Sequence, residues 1–355
     1  MTSLLDYKAG GKKQRSCRSM VFQPLILAVL LLLGFILPLQ AQFKASVNLG
    51  ATYTDNAFQL SEYDLNRFLN HDAPLSYVKN SDDLMLSTGF RSEYNTHWHW
   101  WKIIPYLNGS IEQNTLNTGK HTGDILAGIK VKRLLGELNL AYGYYPYTYL
   151  REYVDTDGTR KLEKFSYGKN LYKAEAFVHP SKKSTLNLEF KHEQYYYNKY
   201  FTEFDGPANT WTLGWKQSFP VLSLDGSYSY RVFDIANQVS VSQPEDASYE
   251  SDIYAFGLQL KKMPLDSKYP SLFWSPQFKL KYEERYFQGK DSFHLGRADY
   301  IYATTASMQF FPGDRWNFNL DYSYNYRNVD AVSTTVAKLK DYSENRFGVS
   351  AGYQF

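Results

Sequence analysis

The chain has 355 residues and a formal net charge of +3; 17% of it is aromatic, and Tyr alone occurs 32 times. After Gln42 no run of about 18 apolar residues occurs, which excludes helical membrane spans, and the aromatic content excludes a solvated coil. Residues 1–41 carry five basic side chains and one acidic one, so the rest of the chain stands at about −1 and gives no case for a nucleic-acid binder.

The N-terminus falls into three zones. Lys12, Lys13, Arg15 and Arg18 are basic, Val21 to Leu39 is almost unbroken apolar sequence, and Pro38-Leu39-Gln40-Ala41 closes it with a small residue. That order predicts a secretory signal peptide over 1–41, cleaved after Ala41, ahead of a single domain over 42–355. A membrane-spanning anchor is the alternative, since about 19 apolar residues suffice to cross a bilayer. Met20 is a second possible start. Cys17, the only cysteine, precedes the apolar run, so it is not placed to carry a lipid, and residues 42–355 hold no thiol.

From Phe43 onward the sequence alternates. Phe43, Ala45, Val47, Leu49, Ala51 and Tyr53 interleave with Lys44, Ser46, Asn48, Gly50, Thr52 and Thr54. Leu222 to Arg231 and Trp316 to Arg327 repeat the pattern, with aromatic and aliphatic residues on one parity and polar residues on the other. A period of two marks a strand with two chemically different faces. Such runs occupy 43–54, 83–96, 102–115, 123–133, 137–149, 166–179, 184–200, 209–218, 221–234, 251–262, 274–287, 299–311, 316–329 and 342–355. The third, sixth and twelfth alternate least cleanly.

The connections keep a phase of their own. After even-numbered runs they are short: Arg133 to Gly136, Pro180 to Lys183, Phe219-Pro220 and Pro312 to Arg315. After odd-numbered runs they lengthen: Asp55 to Asp82, Leu150 to Phe165, Phe233 to Glu250 and Val329 to Asp341. Only Met263 to Ser271 is long where a short turn is due. Alternating short and long connections predict an all-β fold, a single transmembrane antiparallel β-barrel of about 14 strands with tight inner turns and larger external loops. Its backbone radius would be roughly 14 Å, from about 4.8 Å between strands and a tilt near 40°.

The last run, Asn345 to Phe355, sets Phe347, Val349, Ala351, Tyr353 and Phe355 on one face. Here the sequence resembles the bacterial outer-membrane protein class, whose final strand ends in an aromatic residue. The resemblance implies that Tyr353 and Phe355 are an assembly signal read by the barrel assembly machinery, and that outer-membrane lipid and lipopolysaccharide surround the wall. Tyr53-Thr54-Asp55-Asn56-Ala57-Phe58 is similar to a segment of porin-like barrels.

The polar parity supplies the candidate lumen-lining residues: Lys44, Arg91, Glu93, Asp225, Arg231, Lys279, Lys281, Glu283, Arg285, Asp321, Arg327, Glu344 and Arg346. Lys130, Lys191 and Lys216 fall on the same parity, with Glu112, Asp124, Glu189 and Glu193. Mixed signs argue against a strongly ion-selective pore, which needs a ring of one sign. Lys279, Lys281 and Arg285, beside Lys261, form a one-signed cluster, and a salt-bridged wall is the preferred reading of it. Trp98, Trp100, Trp101, Trp274 and Trp316 fall near one set of strand ends. Tyr147, Tyr149, Tyr195, Tyr197, Tyr324 and Tyr326 fall near the other, as two interfacial belts require. Residues 55–82 are the best candidate for a constriction or lid, with an exposed external loop the preferred alternative.

No catalytic, cofactor or metal site is expected. The seven histidines are scattered over turns and loops; His97-Trp98-His99 offers one ligand pair, short of a metal site. Asp155 to Thr159 has the look of a calcium loop without its downstream acid and reads as a turn. The functional expectation is a porin-like channel for small hydrophilic solutes and not an enzyme. The alternative is a structural or assembly barrel that docks a partner through loops or turns.

Overall fold

A computed structural model describes residues 43–155, 158–235, 246–265 and 271–355. The expected presequence lies outside them, as do Thr156 and Asp157. The alternating runs form 14 long strands in one antiparallel sheet. The first seven are β1 (Phe43–Thr54), β2 (Asp83–Tyr94), β3 (Trp101–Asn114), β4 (Thr122–Arg133), β5 (Gly136–Val154), β6 (Leu162–Ser181) and β7 (Ser184–Tyr197). The remainder are β8 (Gly206–Ser218), β9 (Leu222–Phe233), β10 (Tyr249–Leu260), β11 (Leu272–Phe287), β12 (Ala298–Pro312), β13 (Trp316–Asp330) and β14 (Tyr342–Gln354). Two short pieces extend turns: Thr96–Trp98 pairs with the start of β3 and Met263–Pro264 with the start of β11. Helices α1 (Glu62–Leu69) and α2 (Thr334–Lys340) lie in the connections β1–β2 and β13–β14.

Each strand pairs with its neighbours in the chain, and β14 returns to β1 over Ser46↔Gln354 to Thr54↔Arg346. The sheet is therefore a closed cylinder, the arrangement that leaves no backbone edge unsatisfied in hydrocarbon. Outward residues are large and apolar: Leu49 is 58% exposed and Leu213 61%. Five tyrosines stand directly opposite one another on this face, Tyr228, Tyr254, Tyr282, Tyr302 and Tyr326, one on each strand from β9 to β13. Their ring centroids are 4.8–6.4 Å apart, so the row is a continuous cross-strand stack.

Two expectations change. The hairpin β5–β6 runs higher than the alternation indicated, through Val154 and from Leu162, because the register shifts at Tyr145/Thr148 and Tyr149/Arg151 carry the pairing past Pro146. Such bulges interrupt the period of two without ending the ladder. The second change concerns the tyrosine belt. Tyr324 and Tyr326 are on the outer face, but Tyr149 is buried at 5%, and Tyr147 packs against the same interior cluster. Tyr195 and Tyr197 join interior rings, with Tyr195 against Phe233 at 5.5 Å and Tyr197 against Phe165 at 4.8 Å. They share the parity of Glu193, not that of exposed Tyr196. Trp98, Trp100 and Trp316 are exposed at the short-turn end, while Trp101 and Trp274 are half-buried there.

Candidate solute pathway

All of the charged candidates named from sequence share the strand parity opposite to the exposed apolar band, and the structure shows how most of them are held. Glu93 accepts from Arg91 Nε at 3.0 Å and from Lys130 at 3.5 Å. Glu193 takes Lys169 and Arg231, each at 2.6 Å. Glu283 takes Lys281 at 2.9 Å and Arg285 at 2.7 Å, so two members of the one-signed cluster share one carboxylate. Glu344, fully buried, accepts from Arg346 at 2.6 Å, Thr54 at 2.8 Å and Gln59 at 3.2 Å. Arg327 pairs with Asp299, which also takes Arg297 at 2.8 Å. Asp225 and Asp321 lie flat over Gly257 and Gly348, their direct cross-strand partners, where a Cβ would collide with the carboxylate. Glycine is needed at both for that reason. The structure shows no ion pair for Lys44 or Lys279 among the described residues.

Several members of this wall escaped the sequence reading. Lys169, Lys173 and Glu175 are on β6, whose outward residues, Asn170, Tyr172 and Ala174, are too mixed to reveal the faces. Lys173 sits 2.9 Å from both Glu175 and Glu189. Asp299 was legible as a buried partner only through Arg297, two residues away on the same face.

The connection 55–82 is no exposed loop: it turns inward and crosses to a strand four positions along the sheet. Asn56 starts the turn, donating to Leu60 O at 2.8 Å and Ser343 O at 2.9 Å while accepting from Leu60 N at 2.8 Å. Ser61 caps α1 through Asp64 N at 3.1 Å. Phe58, Leu60, Leu75 and Val78 then form a small core with Tyr149 of β5. Arg151 donates to Phe58 O at 3.0 Å and Gln59 O at 3.1 Å. Asp83 gathers the amides of Thr115, Leu116 and Asn117 at 3.0, 3.0 and 2.8 Å, tying the next connection to the base of this lid. From the far wall, Lys340 of α2 reaches Tyr153 of β5 at 3.2 Å.

Burial sets the titration of groups in these connections. Lys120, 4.6 Å over the Phe58 ring, is held down to about 8 by burial and by the Arg151 charge. Burial pushes Tyr77 up to about 12. His294 is lowered, chiefly by burial, although Asp291 accepts from its Nδ1 at 2.8 Å. Asp291 also takes the amides of Asp246 at 3.1 Å and Phe293 at 2.9 Å. This Asp–His pair therefore fastens two connections together. Among the described residues no three His, Cys, Asp or Glu side chains group as metal ligands. Asp155 accepts from Gly158 and Thr159 amides at 3.0 and 2.7 Å, as in a turn.

A closed wall, apolar band outside, tyrosines toward one rim and tryptophans at the other is the surface a bilayer demands of a spanning sheet. The chain is a transmembrane β-barrel. Its outer band meets membrane lipid. No family model matches this barrel, and no curated protein does. Among solved structures, it is similar to a bacterial polysaccharide outer membrane secretin, at TM-score 0.46 and 10% identity over 88% of this chain and 98% of that one. An anion-selective porin from Comamonas acidovorans gives 0.44 and 10%, over 88% and 98%. The outer membrane channel DcaP of Acinetobacter baumannii gives 0.46 and 12%, over 88% and 96%.

Proposed function

We propose that the barrel is a porin-like channel through which small hydrophilic solutes pass passively, with residues 55–82 narrowing its wider-looped mouth. The observation that carries this reading is the closed wall whose interior parity is charged and hydrogen-bonded while its exterior is apolar. In it, Lys44, Arg91, Glu93, Asp225, Arg231, Lys279, Lys281, Glu283, Arg285, Asp321, Arg327, Glu344 and Arg346 line the path. Because carboxylates and cations are interleaved, weak ion selectivity is expected. Planar-bilayer recordings of the purified barrel test it: discrete openings are expected, and a barrel that stays silent even after residues 57–80 are removed refutes it.

A second reading, a structural barrel that docks a partner, draws support from the latched mouth. It requires one stoichiometric partner to co-purify with a closed barrel. In either case residues 1–41 are proposed to be a signal peptide, which N-terminal sequencing of the membrane form checks at Gln42. Tyr353 and Phe355 are proposed to be read by the assembly machinery; their rings meet at 5.0 Å and Phe355 is exposed. Phe355→Ser should then lower the amount of assembled barrel without altering its conductance.

A further inference from the structure

A pocket of about 230 Å³ lies where the lid, the tip of β5, the β11–β12 connection and α2 converge. Leu75 and Tyr77 of the lid, Arg151 and Tyr153 of β5, Phe293 and Lys340 form its wall, and the charged side chains Asp64, Arg67 and Glu152 line it as well. An apolar cavity of about 150 Å³ holds benzene, so this space admits one ring with a small polar substituent.

The charges around it do not balance in the usual local way. Lys340 donates to the Tyr153 hydroxyl and stands 5.2 Å from that ring's centre. Among the described residues no carboxylate reaches ion-pair distance of it, whereas Arg151 and Arg327 are the cations whose fields it feels. Arg151 spends one amine on the lid carbonyls and places the other 3.6 Å from Asp64, a carboxylate already shared with Arg67 at 3.4 Å. Glu152 also lines the pocket, but among the described residues it makes no ion pair with Lys340 or Arg151. A cation taken from water without a counter-charge is costly, and an incoming anion removes that cost.

We propose that this pocket binds a small organic anion with a ring-sized apolar body. The anionic group accepts from Lys340 and Arg151, and the body lies against Tyr77, Phe293 and Leu75. The site rests on the channel reading for its purpose, as the place where a solute is caught at the mouth, but binding is measurable without conductance.

The test uses the full barrel in detergent, with benzoate as probe and benzamide and acetate as comparisons, followed by calorimetry. Benzoate is expected to bind once per barrel, about tenfold or more tighter than benzamide, because only benzoate offers a charged acceptor. Acetate, lacking the ring, should also be weaker. Lys340→Gln should weaken benzoate about tenfold and leave benzamide unchanged, Lys340→Arg should restore benzoate, and Phe293→Ala should weaken both ring compounds. Equal affinity for benzoate and benzamide, or Lys340→Gln and Phe293→Ala barrels that bind as the parent does, overturns the proposal. A barrel that binds benzoate yet never conducts removes the channel and leaves the site; one that conducts and ignores benzoate does the reverse.

Discussion

The two ends of this barrel are built on opposite principles. At the short-turn end the chain reverses with little covering: Leu134 is 91% exposed and Trp100 83%. At the other end the connections make a small protein interior of their own, in which Leu60, Asp299 and Glu344 have no exposed surface at all. The first end needs only backbone ladders and interfacial rings, since bilayer and wall do the ordering. The second orders long connections in water, and it uses the devices of a soluble domain: a helix cap, an apolar cluster and buried ion pairs.

The widest contrast should come from breaking the lid. Leu60→Ala removes a fully buried side chain and should cost lid docking about 2–5 kcal/mol, seen as faster amide exchange confined to residues 55–82 and as larger single-channel conductance. Leu134→Ala at the other end should change neither. Arg151→Gln leaves two lid carbonyls short of a donor and Asp64 with Arg67 as its remaining counter-ion, a loss of about 2–4 kcal/mol with the same signature. The wall should respond by face: Leu320→Lys, on the apolar band, should cost about 2–4 kcal/mol in folding into lipid vesicles, while Ser323→Lys, on the charged parity, should cost little. Gly348→Ala would push Asp321 off the wall for about 1–3 kcal/mol, measured by urea titration.

A further effect is over pH and belongs to the looped end alone. Lys120 titrates near 8 when the lid is docked and near 10.4 when freed. The docked state thus binds fewer protons in between, and docking strengthens as pH rises through that interval. Tyr77 acts oppositely: ionisation is put off to about 12 in the docked lid, so docking weakens once pH climbs past about 10. Lid amide exchange should be slowest near pH 10 after correction for the intrinsic rate, and Lys120→Gln should abolish the rise.

This contrast also explains what could be read from sequence. The wall was legible because a period of two carries both the strand and the identity of its faces, so Glu93, Glu283 and Arg231 were placed by parity alone. The number of alternating runs gave the strand count, and the phase of the connection lengths pointed to a barrel. The lid was not legible. Its burial depends on Tyr149 and Arg151, nearly a hundred residues away, and no local pattern records which distant side chain a connection will meet. Tyr147 and Tyr149 were misplaced for a related reason: the bulges around Pro146 let the hairpin outgrow its alternation. The Asp291–His294 pair sits in irregular backbone and Lys340 ends a helix of seven residues, too short for periodicity to reveal its contacts.

The seam between β1 and β14 has a further consequence. Ser46 stands opposite Gln354 in the ladder, so the parts of the wall farthest apart in sequence are also direct neighbours. Until that last strand emerges and docks, both margins of the sheet are open and ready to pair with any other strand they meet. The cylinder therefore cannot close before its last strand is in place, and the contact that seals it spans nearly the whole described chain.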